Sequence, residues 1–144
     1  MHRRFKYYTP IVMQKLGYIV FYPLHRYFVD MEIIGRENLE GLKGPIILAS
    51  NHTGEIDTMT IHMVFPFFSE FFPIYYITSP TLKYNTFGWR SYFYGQTLFQ
   101  MFGGYAVHSG FKDYSISLED HIDLLENGHT VQIYPEGRDR KSVV

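Results

Sequence analysis

Residues 105–134 pass from an apolar run through an amphipathic stretch to a second apolar run, and no other feature constrains the fold as tightly. Tyr105-Ala106-Val107 reads as a strand. A helix is expected over 117–127, with Leu118, Ile122 and Leu125 on one face, and residues 130–134 form the next strand. Ser115 or Ser117 can cap the helix start, and Gly128 stands where a left-handed C-terminal cap belongs. Strand, helix and strand in such short compass make a βαβ crossover, which requires parallel strands. The fold class expected is therefore α/β, with a mixed, mostly parallel sheet flanked by helices.

Earlier segments fit the same scheme. Residues 31–35 look like an edge strand, and 36–44 like a polar turn region. Residues 45–50 are continuously apolar between turn signals, as a strand buried on both faces would be. Residues 58–65 read as a helix that Pro66 stops, and 73–78 as a further strand. The Tyr/Phe-rich, glycine-punctuated stretch 79–104 is expected to be helical in part. With 144 residues, 46% of them hydrophobic, the chain can bury one core.

The N-terminal segment differs in character. His2-Arg3-Arg4-Phe5-Lys6 puts positive charge ahead of an apolar stretch over 10–28, which is interrupted by Gln14, Lys15, His25 and Arg26. There is no uninterrupted run of the ~18 apolar residues needed to span a bilayer, and no small-residue cleavage site follows. Two readings stand side by side. One is an amphipathic helix lying in the membrane interface, with Tyr7, Tyr8, Tyr18, Tyr22 and Tyr27 near the headgroups. The other is an ordinary amphipathic helix packed on the domain and bent or ended by Pro23. Residues 1–29 are accordingly set apart from an α/β domain over 30–144.

Charge and cysteine content narrow the chemistry. Thirteen Lys and Arg balance 14 Asp and Glu, which argues against a nucleic-acid partner. The chain has no cysteine, so thiolate catalysis, disulfides and cysteine zinc sites are excluded together.

Two polar clusters follow directly on expected strands: 51–57 after the first, 135–141 after the last. In open α/β sheets, ligands bind in the crevice at the carboxyl ends of strands, so the clusters point to one shared site. His52 and Asp57 are spaced so that a turn through Gly54 could bring the imidazole over the first helical turn. Asp57 would then orient one ring nitrogen, and the other would serve as a general base, a contribution of ~10²–10⁴ in rate. With no cysteine and no Gly-x-Ser-x-Gly element, the attacking group is a substrate hydroxyl rather than a protein nucleophile. A metal-dependent hydrolase on His52, Glu55 and Asp57 is conceivable, but no second histidine falls at ligand spacing and the sequence requires no metal.

Asn51-His52-Thr53-Gly54-Glu55-Ile56-Asp57 after one apolar run, with Tyr134-Pro135-Glu136-Gly137 after another, resembles the PlsC-like glycerolipid acyltransferase family, which includes the 1-acylglycerol-3-phosphate O-acyltransferases. The lead-in over 29–39 is similar to the family's, as are Phe87-Gly88-Trp89 and residues 103–107, so the likeness runs over 29–137. It implies transfer of a fatty acyl group from an acyl thioester, on coenzyme A or acyl carrier protein, to a hydroxyl of a lysophospholipid-like acceptor. No resident cofactor is implied. His52 would be the base, oriented by Asp57. Glu136 and Gly137 open the motif that holds the acceptor's phosphate, with Arg138 or Arg140 supplying the bidentate fork. Here Arg138-Asp139 stands where the family has Thr-Arg. His108-Ser109 stands where its second motif ends in Arg, leaving Lys112 as the nearest cation. The resemblance also implies a chain cut short after the third motif, and placement on the cytoplasmic face of a membrane. The alternative is a catalytically idle membrane- or lipid-binding fragment of such an enzyme.

Overall fold

A computed structural model describes residues 3–52, 57–78, 95–108, 111 and 113–135. Among these residues four strands, β1 (Ile47–Ala49), β2 (Ile74–Thr78), β3 (Gly104–Ala106) and β4 (Thr130–Ile133), form one sheet in the order β1-β4-β2-β3. All three pairings are parallel, so the fold is α/β as expected. The described residues also form five α-helices: α1 (Arg3–Phe28), α2 (Asp57–Val64), α3 (Gln96–Met101), α4 (Tyr114–Ser117) and α5 (Glu119–Glu126).

Consecutive residues of a strand point to opposite faces, and β2 divides the core accordingly. Ile74 joins Phe65, Phe71 and Phe72 on one side, while Tyr75 joins Tyr105, Leu124 and Val131 on the other. Full burial of each large apolar side chain is worth about 1.5–3 kcal/mol, so these two clusters carry most of the sheet's stability.

Several expectations are corrected. Residues 31–35 form no strand. They lead to Gly35, whose φ of 77° turns the chain into a 3-10 turn at Arg36–Leu39. The run 45–50 is not buried on both faces, since Ile47 is 56% exposed; among the described residues β1 pairs with β4 alone. The interior strands are β2 and β4. The β3-to-β4 crossover is parallel, but β2 lies between the two. The helix expected over 117–127 begins earlier and breaks at Leu118, so its cap is neither serine. The Asp113 carboxylate accepts the Ser115 N–H at 2.9 Å instead. On α5 the inward side chains are His121 and Leu124, and Ile122 is exposed. Gly128 does adopt the left-handed conformation, φ 84°. Around it the His129 N–H donates to the Leu124 carbonyl and the Gly128 N–H to the Leu125 carbonyl, a Schellman cap.

Pro10 and Pro23 both lie inside α1, and Pro23 does not end it. One side of α1 packs inward through Pro10 and Gln14. Gly17 allows close approach, since a Cβ there would sit 3.3 Å from the Phe102 ring. Tyr8, Val12, Leu16 and Ile19 recur at helical spacing on the other side and are each more than half exposed. Lys6 ties the helix start to α5 through Asp123 at 2.6 Å and Asp120 at 3.6 Å. Further along, the Tyr18 hydroxyl donates to the Phe65 carbonyl, and His25 Nε2 lies 3.4 Å from Thr60 Oγ1. Contacts that advance along α1 therefore retreat along α2: the two helices are antiparallel.

Candidate active site

β1 and β4 are parallel neighbours with Ala49 opposite Ile133, so both chains leave the sheet at the same edge. Ser50 continues the ladder by donating its N–H to the Ile133 carbonyl. Asn51 and His52 therefore emerge beside Tyr134 and Pro135. At that edge α2 starts, with Asp57 in its first turn, where a carboxylate is favoured by the helix dipole.

His52 Nδ1 lies 3.2 Å from Asp57 Oδ2, with the two side chains 28% and 27% exposed. A carboxylate only accepts, so the proton of the neutral ring is assigned to Nδ1, and Nε2 keeps its lone pair. Such a ring is chemically able to take a proton at Nε2, with the carboxylate stabilising the imidazolium that results.

Two neighbours that sequence reasoning missed complete the arrangement. The Tyr134 ring lies against the imidazole, centroids 4.4 Å apart and planes 34° from parallel. Gln132, fully buried in the middle of the sheet, points from β4 to the same side. Its Nε2 donates to the Tyr134 hydroxyl at 2.9 Å and to Ser50 Oγ at 3.2 Å. A signal for Gln132 was available. An amide inside an otherwise apolar parallel strand must find partners, because burying it unpaired is costly. Burial first, and the Asp57 carboxylate second, push the Tyr134 phenol well above its ordinary value, so its hydroxyl stays protonated.

His62, five residues along α2 from Asp57, takes no part in this cluster. It is buried beside a largely apolar pocket bordered by Gln14, Phe21, Met59 and Phe102. Its Nδ1–H donates to the Thr58 carbonyl at 2.5 Å, and burial lowers its pKa to about 4.

Glu136, Gly137, Arg138 and Arg140 lie outside the described residues, as do Lys112, Gly54 and Glu55. Among the described residues no three His, Asp or Glu side chains converge as metal ligands. A family model described as Acyltransferase matches residues 12–143, which extends the likeness upstream into α1. No curated protein and no solved structure matches the chain.

Proposed function

Because this chain belongs to the PlsC-like glycerolipid acyltransferase family, we propose that it moves a fatty acyl group from an acyl thioester to a hydroxyl of a lysophospholipid-like acceptor, with His52 as general base. The observation that carries this reading is the 3.2 Å contact of His52 with Asp57, at the sheet edge shared with the end of β4.

That geometry supports the following chemistry. The acceptor hydroxyl donates its hydrogen bond to His52 Nε2 and gives up its proton as its oxygen attacks the thioester carbonyl. Asp57 holds Nδ1–H throughout and offsets the positive charge that forms on the ring. The tetrahedral oxyanion collapses, the C–S bond breaks, and the imidazolium returns its proton to the departing thiolate. Ester and free thiol are the products, and the base is restored without a covalent enzyme intermediate. By the family resemblance, Glu136 and Gly137 open the motif that would hold an acceptor phosphate, with Arg138 or Arg140 supplying the bidentate fork and Lys112 as a further cation. The donor is acyl-coenzyme A or acyl carrier protein, and no resident cofactor is needed.

The lipid acceptor is met at a membrane surface, on its cytoplasmic face. Among the described residues no helix is long and apolar enough to cross a membrane. The outward side of α1 supports contact with the interface instead, and its last turn carries Tyr27 and Phe28, 83% and 75% exposed. Since α1 runs antiparallel to α2, this aromatic end lies toward the end of α2 that carries Asp57.

The test is acyl transfer from a long-chain acyl-coenzyme A to lysophosphatidic acid, measured for wild type and His52→Ala. The expected loss is at least 10²-fold. Equal rates for the two proteins would dispose of the assigned base. Vesicle binding with no transfer to any lyso-lipid would favour the idle lipid-binding fragment.

A further inference from the structure

We propose that Tyr134 is a positioning residue for His52, its ring fixing the plane in which Nε2 meets the acceptor hydroxyl. The inference rests on the reading of His52 as the base and adds to it a second constraint, from a different element of the fold. The hydrogen bond to Asp57 anchors one ring atom and still permits the imidazole to pivot about it. A ring packed on its face at 4.4 Å removes that freedom. Aromatic pairs prefer offset or tilted arrangements at this separation, so the contact selects an orientation as well as filling space.

The platform is rigid for a reason visible in the sheet. Tyr134 directly follows β4, whose Ile133 is in register with Ala49 of β1. Its hydroxyl accepts from Gln132 Nε2, and that nitrogen also reaches Ser50, two residues before His52. Gln132 is fully buried, so no water competes for the amide. Imidazole and phenol are thus mounted on adjacent strands and cross-linked below the site by one side chain. A misplacement of about 1 Å at a reacting group can cost 10²-fold in rate, which is the scale on which such a mount acts.

The experiment is steady-state kinetics on the full chain with acyl-coenzyme A and lysophosphatidic acid, alongside NMR of the His52 Nδ1 proton. Tyr134→Phe keeps the ring but loses its tie to Gln132, and should fall between wild type and Tyr134→Leu, with kcat down by less than about tenfold. Tyr134→Leu should lose about 10–100-fold in kcat with KM within about twofold, and its Nδ1 proton should broaden through exchange with water. Placed on Asp57→Asn, where orientation is already compromised, Tyr134→Leu should cost much less than it does alone. Full multiplication of the two losses, or a wild-type kcat for Tyr134→Leu, would overturn the proposal. If Tyr134→Leu fails to fold, Tyr134→Met keeps a long apolar side chain without the ring and carries the same comparisons. The NMR readout needs no acceptor: an unchanged Nδ1 proton in the ring-less variant also overturns the role. His52→Ala distinguishes the two levels. A fully active His52→Ala removes the base itself, whereas an inactive one beside an undiminished Tyr134→Leu removes only the positioning.

Discussion

Gln14 takes the place of a neighbouring strand for Ile74. Its Oε1 accepts the Ile74 N–H at 2.9 Å, and its Nε2 donates to the Ile74 carbonyl at 2.7 Å and to the Phe102 carbonyl at 2.7 Å. One amide of α1 thereby satisfies three backbone groups where β2 begins and α3 ends. Replacing Gln14 by Leu would leave all three unpaired, at roughly 1–3 kcal/mol for each buried group. Partial relaxation makes about 3 kcal/mol the expected total, read as a lower urea midpoint with an unchanged m-value. A loss below about 1 kcal/mol would mean that the amide does not hold α1 to the sheet.

The same junction makes Gly103 sensitive. It has φ 92°, and a Cβ there would lie 2.9 Å from Gln14 Nε2 and 3.0 Å from the Ile74 carbonyl. Gly128 has a similar φ of 84° with nothing within 4 Å. Gly128→Ala should therefore cost about 1 kcal/mol from backbone strain alone, and Gly103→Ala at least about 1 kcal/mol more. Equal losses in thermal or urea unfolding would show that the close approach to Gln14 is immaterial.

Asp57→Asn separates orientation from binding. An asparagine side chain can donate to His52 Nδ1 and so favour the wrong tautomer, while altering little volume. Turnover should fall by about 10²–10⁴ with KM within a few-fold. A large rise in KM with kcat preserved would place Asp57 in substrate binding rather than beside the base.

Acid should weaken the fold before the carboxylates titrate. An unfolded histidine takes its proton near pH 6.5, but buried His62 resists until about 4. Between those values the unfolded chain binds the extra proton, so stability rises with pH. The contribution is complete above about pH 6.5, drains away as pH falls toward 4, and amounts to roughly 3 kcal/mol. His121 and His129, both lowered chiefly by burial, act with the same sign. Urea unfolding between pH 4 and 7 should show a shallower pH dependence for His62→Leu than for wild type. Parallel curves would remove His62 as a source.

The outward stripe of α1 can be tested apart from the fold. Leu16 and Ile19 are 53% and 59% exposed, so Leu16→Glu with Ile19→Glu should leave the melting temperature nearly unchanged. Binding to anionic vesicles in a flotation assay should drop at least tenfold, because apolar area is lost and like charge is added. Undiminished flotation would exclude this side of the helix as the membrane contact.

Local chemistry made several elements legible. The runs at 73–78, 105–107 and 130–134 overlap β2, β3 and β4, and the helix ended by Pro66 is α2. Gly128 was identifiable because a left-handed cap favours glycine wherever a helix stops. Errors arose where a neighbour in space decided the outcome. An apolar run looks the same whether one face is covered or both, so residues 45–50 were expected to be buried on both faces, whereas Ile47 is exposed. Ile122 satisfied the helical period, yet the chain breaks at Leu118 and the phase of the buried side changes with it.

The sequence alone determined the class of the fold, the near-neutral charge, the exclusion of thiol chemistry and the pairing of an imidazole with a carboxylate five residues on. These are properties of composition and of contacts within a few residues, which local sterics and hydrogen bonding dictate. Only the tertiary structure decided the strand order β1-β4-β2-β3, the capture of Gln14 by β2 and the seating of Tyr134 on His52. Each depends on which faces meet once the chain collapses. Burial energy rewards many such meetings almost equally, and the choice falls to the packing that best fills the core while pairing buried polar groups such as the Gln14 amide.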